Sequence, residues 1–181
     1  MKLSKLIRVL VGVLAVVAFV LMFTDQLSYT LKIGNSITPM KFNEVLFDVY
    51  EGDQLITKGA GASFVGYLLI LLAGLTVTAS LFFNNRFVSF INILCGILLI
   101  AGGIMAMSVL SGFKSLNEDY CKIAELAGTF SVNAGPIIAG ILGIIGANAL
   151  AHLLLGTNHI QHIIANLESK AQTVSKTAGS I

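Results

Sequence analysis

The chain has 181 residues, of which 56% are hydrophobic and only 11% charged, with a formal net charge of +2. Together with a mean hydropathy of +0.89, this composition excludes a soluble protein whose whole surface faces water, and it predicts an integral membrane protein. The basic residues are few and scattered, which excludes a nucleic-acid-binding protein.

Apolar stretches in the chain predict four transmembrane helices. A bilayer core of about 30 Å needs roughly 20 apolar residues in helical form. The stretches that meet or approach this length are 6–23, 62–83, 87–110 and 130–155. We therefore predict an all-α membrane protein whose residues 1–155 form a four-helix transmembrane bundle.

The first stretch follows three basic residues, as the apolar core of a cleaved signal peptide would. No small-x-small cleavage pattern follows Phe23, so we interpret the stretch as a retained helix. Its Arg8 can extend to the lipid head groups.

The distribution of charge predicts the orientation of the bundle. If both termini lie inside, the inner side carries six basic residues and one acid, and the outer side carries five basic residues and eight acids. The positive-inside rule then places both termini in the cytoplasm of a cell-membrane protein.

Residues 24–61 form a first outer loop that is too long to be only a connector. Its β-branched residues and turn signals predict a small, partly β element around 29–33 and 45–50. In the second outer loop, 111–129, Ser115 and Glu118 form a capping-box pattern, which predicts a short amphipathic outer helix.

Small residues recur at four-residue steps through the last apolar stretch, and we call this series the ladder. Positions four apart lie on one ridge of a helix, and a ridge of small side chains lets another helix approach closely in lipid. The ladder predicts a helix-packing surface formed by Ser131, Gly135, Ala139, Gly143, Ala147 and Ala151.

The tail, 156–181, is predicted to be a cytoplasmic amphipathic helix. Its apolar residues alternate in steps of four and three, which is the spacing of a coiled-coil seam. The alternatives are pairing between subunits and a tail that docks on its own bundle or frays. The seam consists of Ile160, Ile164, Leu167, Ala171, Val174, Ala178 and Ile181.

The predicted order of inner termini, long first outer loop, tight inner turn and shorter second outer loop is similar to that of the animal claudin and tetraspan proteins. The chain has no tryptophan, and its first outer loop has no cysteine, so the aromatic and paired-cysteine motif of the claudin first loop is absent. We infer no common family from the topology.

Asparagines at or near membrane depth need hydrogen-bond partners, which other helices can supply. They are Asn92, Asn133 and Asn148, and Cys121 is a further candidate for contact between subunits. The sequence shows no catalytic, cofactor-binding or metal-binding constellation.

The absence of charged residues from the last three stretches argues against an ion-coupled transporter. We expect a non-enzymatic multi-pass membrane protein without cofactors that acts through helix-mediated assembly in the lipid bilayer, by self-association or as a subunit of a membrane complex. The alternative is an oligomeric pore lined by small and polar residues.

Overall fold

A computed structural model describes residues 3–83 and 87–155. The predicted seam from Ile160 to Ile181 lies outside the described residues, as does the turn at 84–86. In the described part, four helices are long and apolar enough to cross a membrane, which supports an integral, multi-pass membrane protein.

The spanning helices lie close to the predicted apolar stretches. An apolar run of this length can enter a bilayer only as a helix, because a helix pairs its own backbone N–H and C=O groups. The first and second each continue for three residues as a 3-10 turn. Their bounds are α1 Leu3–Val20, α3 Gly61–Ala79, α4 Phe87–Met107 and α7 Ala134–Leu155.

The spanning helices run antiparallel to their neighbours. Along the α1–α3 interface, Arg8 lies beside Thr78 and Ala15 lies beside Gly74. This antiparallel arrangement brings four helix ends to one end of the bundle: the end of α1, the start of α3, the end of α4 and the start of α7. We call residues 24–60 and 108–133, which lie at that end, the cap.

The first part of the cap contains two short strand pairs separated by one helical turn. Strand β1, Leu27–Leu31, pairs with β2, Ile37–Met40, and after α2, Phe42–Val45, strand β3, Val49–Glu51, pairs with β4, Gln54–Thr57. Residues 45–48, predicted as part of a strand, instead lie at the end of α2 and in the bend after it.

The second part of the cap contains two helices, α5 Val109–Leu116 and α6 Glu118–Ala127, where the sequence predicted one. The predicted helix start at Ser115 is wrong: its hydroxyl donates to the Gly112 carbonyl oxygen at 3.0 Å from within α5. The break comes at Asn117, whose backbone leaves the helical conformation (φ −125°, ψ 44°) and whose side chain binds the Lys58 backbone.

A fifth strand, β5 Gly128–Val132, joins the two parts of the cap. It pairs antiparallel with β1, so the sheet has the order β2-β1-β5. Phe130 of this strand packs against Tyr29 at 4.9 Å between ring centroids and against Phe113 at 6.1 Å. The sheet is therefore anchored to α5 through an aromatic cluster.

Candidate functional site

The ladder lies mostly inside the chain's own bundle. Gly135, Ala139, Gly143 and Ala147 are buried, whereas Ala151 is exposed. A Cβ atom on Gly143 would lie 2.8 Å from the Leu99 carbonyl oxygen of α4. The small residues thus permit close packing of α7 against α4 within one chain.

Ser131 is not on the ridge, and its placement there by sequence is wrong. It lies in β5 opposite Ser28, and the two hydroxyl oxygens are 2.8 Å apart. The helix begins only at Ala134, where Pro136 falls in the first turn and needs no intrahelical partner for its nitrogen. Pairing with β1 therefore displaces the start of α7 by four residues from the predicted residue 130.

Two further glycine crossings, which the sequence analysis did not single out, hold the bundle together. A Cβ on Gly66 would lie 2.7 Å from the Gly102 carbonyl oxygen, and the reverse distance is also 2.7 Å. Gly103 and Gly140 show the same reciprocal 2.7 Å contact. Adjacent glycines on α4 thus face two different helices. The sequence signal that could have predicted these crossings was the presence of glycines within apolar stretches.

A buried polar network lies where α1 meets the cap. The Tyr67 hydroxyl donates to Gln26 Oε1 at 2.9 Å, and Gln26 Nε2 donates to the carbonyl oxygens of Met22 and Thr24 at 2.8 and 2.9 Å. Both side chains are fully buried. Since Gln26 also accepts a hydrogen bond from the Asn133 backbone N–H at 3.1 Å, it connects α1, α3 and the start of α7.

The two parts of the cap are cross-linked by side chains that bind backbone groups. Asn117 Oδ1 accepts from the Lys58 N–H at 2.7 Å, and its Nδ2 donates to the Lys58 carbonyl oxygen at 2.8 Å. Lys32 Nζ donates to the Glu125 carbonyl oxygen at 2.7 Å, where a cation is favourable at the end of α6. These bonds hold the cap as one folded unit.

The predicted polar sites have three different environments. Asn133 Nδ2 donates to the Leu27 carbonyl oxygen at 3.0 Å. Asn92 is 1% exposed, and its Oδ1 has no hydrogen-bond partner among the residues described. Asn148 is exposed on the outer face of α7. No hydrogen bond among the described residues joins these three side chains to one another.

Cys121 is 4% exposed and packs in the cap core. Burial raises the pKa of its thiol, the Glu125 carboxylate raises this pKa further, and Lys114 opposes the rise. Cys95 is buried in α4, and both thiols are free. A buried, protonated thiol is a poor nucleophile, so Cys121 is not presented for reaction with another chain in this conformation.

A shallow groove of about 650 Å³ lies between the end of α1, the sheet and the start of α7. The Thr24 hydroxyl in its wall already donates to the Leu21 carbonyl oxygen, and Ser28 already contacts Ser131. Within residues 3–83 and 87–155, no three His, Cys, Asp or Glu side chains are grouped so as to hold a metal. Among the described residues that line the groove, Asp25 is the one charged side chain.

The chain matches no protein-family model, and no curated protein matches its sequence. Its function is therefore inferred from its own residues.

Proposed function

We propose that the protein is a non-enzymatic multi-pass protein of the cell membrane that acts by assembly, with the helices as a platform and the cap as the surface that meets a partner protein. In this proposal the cap lies outside and both termini are cytoplasmic. The far end of the bundle supports this orientation, since it carries Lys5 and Arg8, and Arg8 donates to the Ser80 carbonyl oxygen at 3.3 Å.

One observation carries the proposal: the folded cap leaves large apolar side chains uncovered. Ile33, Leu126 and Ile123 are 90%, 79% and 71% exposed, and we call these three residues the cap patch. The Lys32 N–H donates to the Ala127 carbonyl oxygen at 2.9 Å, which brings Ile33 to the end of α6. Clustered apolar side chains outside a bilayer are typical of an interaction surface.

The proposal places assembly at the cap patch rather than at the ladder. Four ladder residues are buried within the chain, so using the ladder between subunits would require α7 to leave its own bundle. The cap patch requires no such opening.

The alternative of a pore receives no specific support from the described residues. The bundle interior contains Tyr67, Ile70, Leu99 and Leu150, each no more than 1% exposed. A conducting path would therefore run between copies rather than through one chain.

Site-specific photo-crosslinking in intact cells tests the proposal. A photoreactive amino acid at Ile33 or Leu126 should give a protein adduct of one defined mass, and the same probe at Tyr50, which is 59% exposed on the other hairpin, should not. The triple variant I33S, I123S and L126S should abolish the complex, whereas Y50S should retain it. Adducts with lipid alone, or equal adducts from all positions, would overturn the proposal.

A further inference from the structure

Helix α7 presents an outward face that is apolar except at Asn148 and His152. The exposed residues on this face are separated by steps of four, three, four and three, and so form one stripe along the helix. They are Ile141, Ile145, Asn148, His152 and Leu155. The opposite face, which includes Gly143 and Leu150, is buried in the bundle.

Asn148 differs from Thr76, an exposed polar residue of α3. The hydroxyl of Thr76 on α3 donates to the Leu72 carbonyl oxygen at 2.7 Å, so its own helix satisfies it. The Asn148 amide forms no hydrogen bond with any residue in the described ranges. It offers one free acceptor and two free donor hydrogens on the lipid side of the helix.

Asn148 lies within the last spanning segment, Ala134–Leu155. A Cβ on Gly146, two residues earlier, would lie 3.7 Å from the Val11 side chain of α1, so Asn148 lies in the half of the bundle away from the cap. The asparagine side chain is too short to extend to the head groups as lysine or arginine does. A polar group in hydrocarbon therefore requires a partner from another helix.

We propose that this partner is Asn148 of a second copy of the chain, and that the α7 stripe is the contact between copies. Two copies inserted in the same orientation and related by an axis perpendicular to the membrane place their Asn148 residues at the same depth. Each amide then donates to the oxygen of the other. A different membrane protein would need a matching polar group at that depth, whereas a second copy supplies one automatically.

The neighbours of Asn148 fit such a contact. Ile141 and Ile145 lie on the side of the stripe toward the cap, and Ala151, also exposed, leaves room for a second backbone one turn away. A single asparagine within an apolar seam fixes the register of paired helices. This contact does not depend on the cap patch, which lies at the end of the bundle.

Measurement of self-association in liposomes tests the contact. The fraction of paired molecules is obtained by single-molecule photobleaching over a range of protein-to-lipid ratios. Asn148→Leu should raise the dissociation constant about threefold to twentyfold. Asn148→Gln should retain most of the association, because it keeps the amide. The matched control Thr76→Val removes a polar group that its own helix satisfies, and should change nothing.

Cysteine crosslinking in a C95A/C121A background gives a second readout. Ile145→Cys and His152→Cys, which both keep Asn148, should form dimers on mild oxidation, whereas Leu150→Cys on the buried face should not. The inference would be overturned if the wild-type protein remained monomeric at every protein-to-lipid ratio. Equal dissociation constants for N148L and T76V would also overturn it. The photo-crosslinking experiment at the cap patch, repeated in N148L, shows whether the cap proposal holds when the contact between α7 helices is lost.

Discussion

At the scale of single residues, the glycines of α4 differ in what surrounds them. A Cβ on Gly103 would lie 2.7 Å from the Gly140 carbonyl oxygen, whereas a Cβ on Gly96 of the same helix would meet nothing within 4 Å. The same substitution at these two positions therefore separates close packing from helix propensity.

Gly103→Ala should lower the temperature at which the purified protein unfolds in detergent, because the added methyl group forces two backbones apart. Overpacking of this kind costs about 1–3 kcal/mol. Gly96→Ala should leave the temperature unchanged or raise it, since alanine favours a helix by about 1 kcal/mol over glycine. Thermal unfolding followed by circular dichroism gives the unfolding temperature of each variant. Equal changes in the two variants would show that the close contact between Gly103 and Gly140 does not affect stability.

Cys121 should react slowly with iodoacetamide at pH 8. The thiolate is the reactive form, and burial together with the Glu125 carboxylate raises the pKa of this thiol, so the reaction rate should rise only at higher pH than for a free cysteine. Glu125→Gln should lower this pKa, so the increase in alkylation rate should occur at lower pH than in the wild type.

Glu118→Gln is the matched control for this profile, because Glu118 pairs with Lys122 and does not act on Cys121. It should leave the alkylation profile of Cys121 unchanged. A profile that responds equally to both substitutions would show that local unfolding, rather than the Glu125 charge, controls the reaction.

At the scale of elements, sequence reasoning located the spanning helices because each is a long local run of apolar residues. It missed β5 because the partner strand β1 lies about one hundred positions earlier in the chain, and no local signal at residues 128–132 identifies that partner. It also missed the break at Asn117, whose side chain binds the Lys58 backbone 59 positions earlier in the chain. The candidate packing residues were visible as small residues, but which helix each one faces depends on the assembled bundle.

The network that connects α1 to α3 provides a prediction at this scale. Tyr67→Phe removes the hydroxyl that donates to Gln26 Oε1 and leaves a buried acceptor unpaired. Such a loss costs about 1–3 kcal/mol, so the unfolding temperature should fall. Tyr50→Phe changes an exposed tyrosine and should have no effect. Equal stability of the two variants, measured by thermal unfolding, would show that the Tyr67 bond contributes nothing.

At the scale of the whole molecule, the cap and the far end of the bundle differ in charge. The described cap carries eight acids and five basic residues, whereas the described residues of the far end include Lys5 and Arg8. This asymmetry was readable from the sequence, because it needs only the order of spans and loops.

The orientation can be measured by labelling. Asp53→Cys places a thiol beside the exposed turn at Gly52, whereas the native cysteines are buried. A membrane-impermeant maleimide should label this variant on intact cells. Lys5→Cys, exposed at the far end, should be labelled only after the membrane is permeabilised. The reverse pattern would place the cap in the cytoplasm.

The adjacent glycines Gly102 and Gly103 concentrate two helix crossings at one height of α4. Because α3 and α7 both approach α4 there, close to the cap, two interfaces depend on residues that are next to each other in the chain. A single local distortion of α4 at this height would therefore loosen its packing against both helices together.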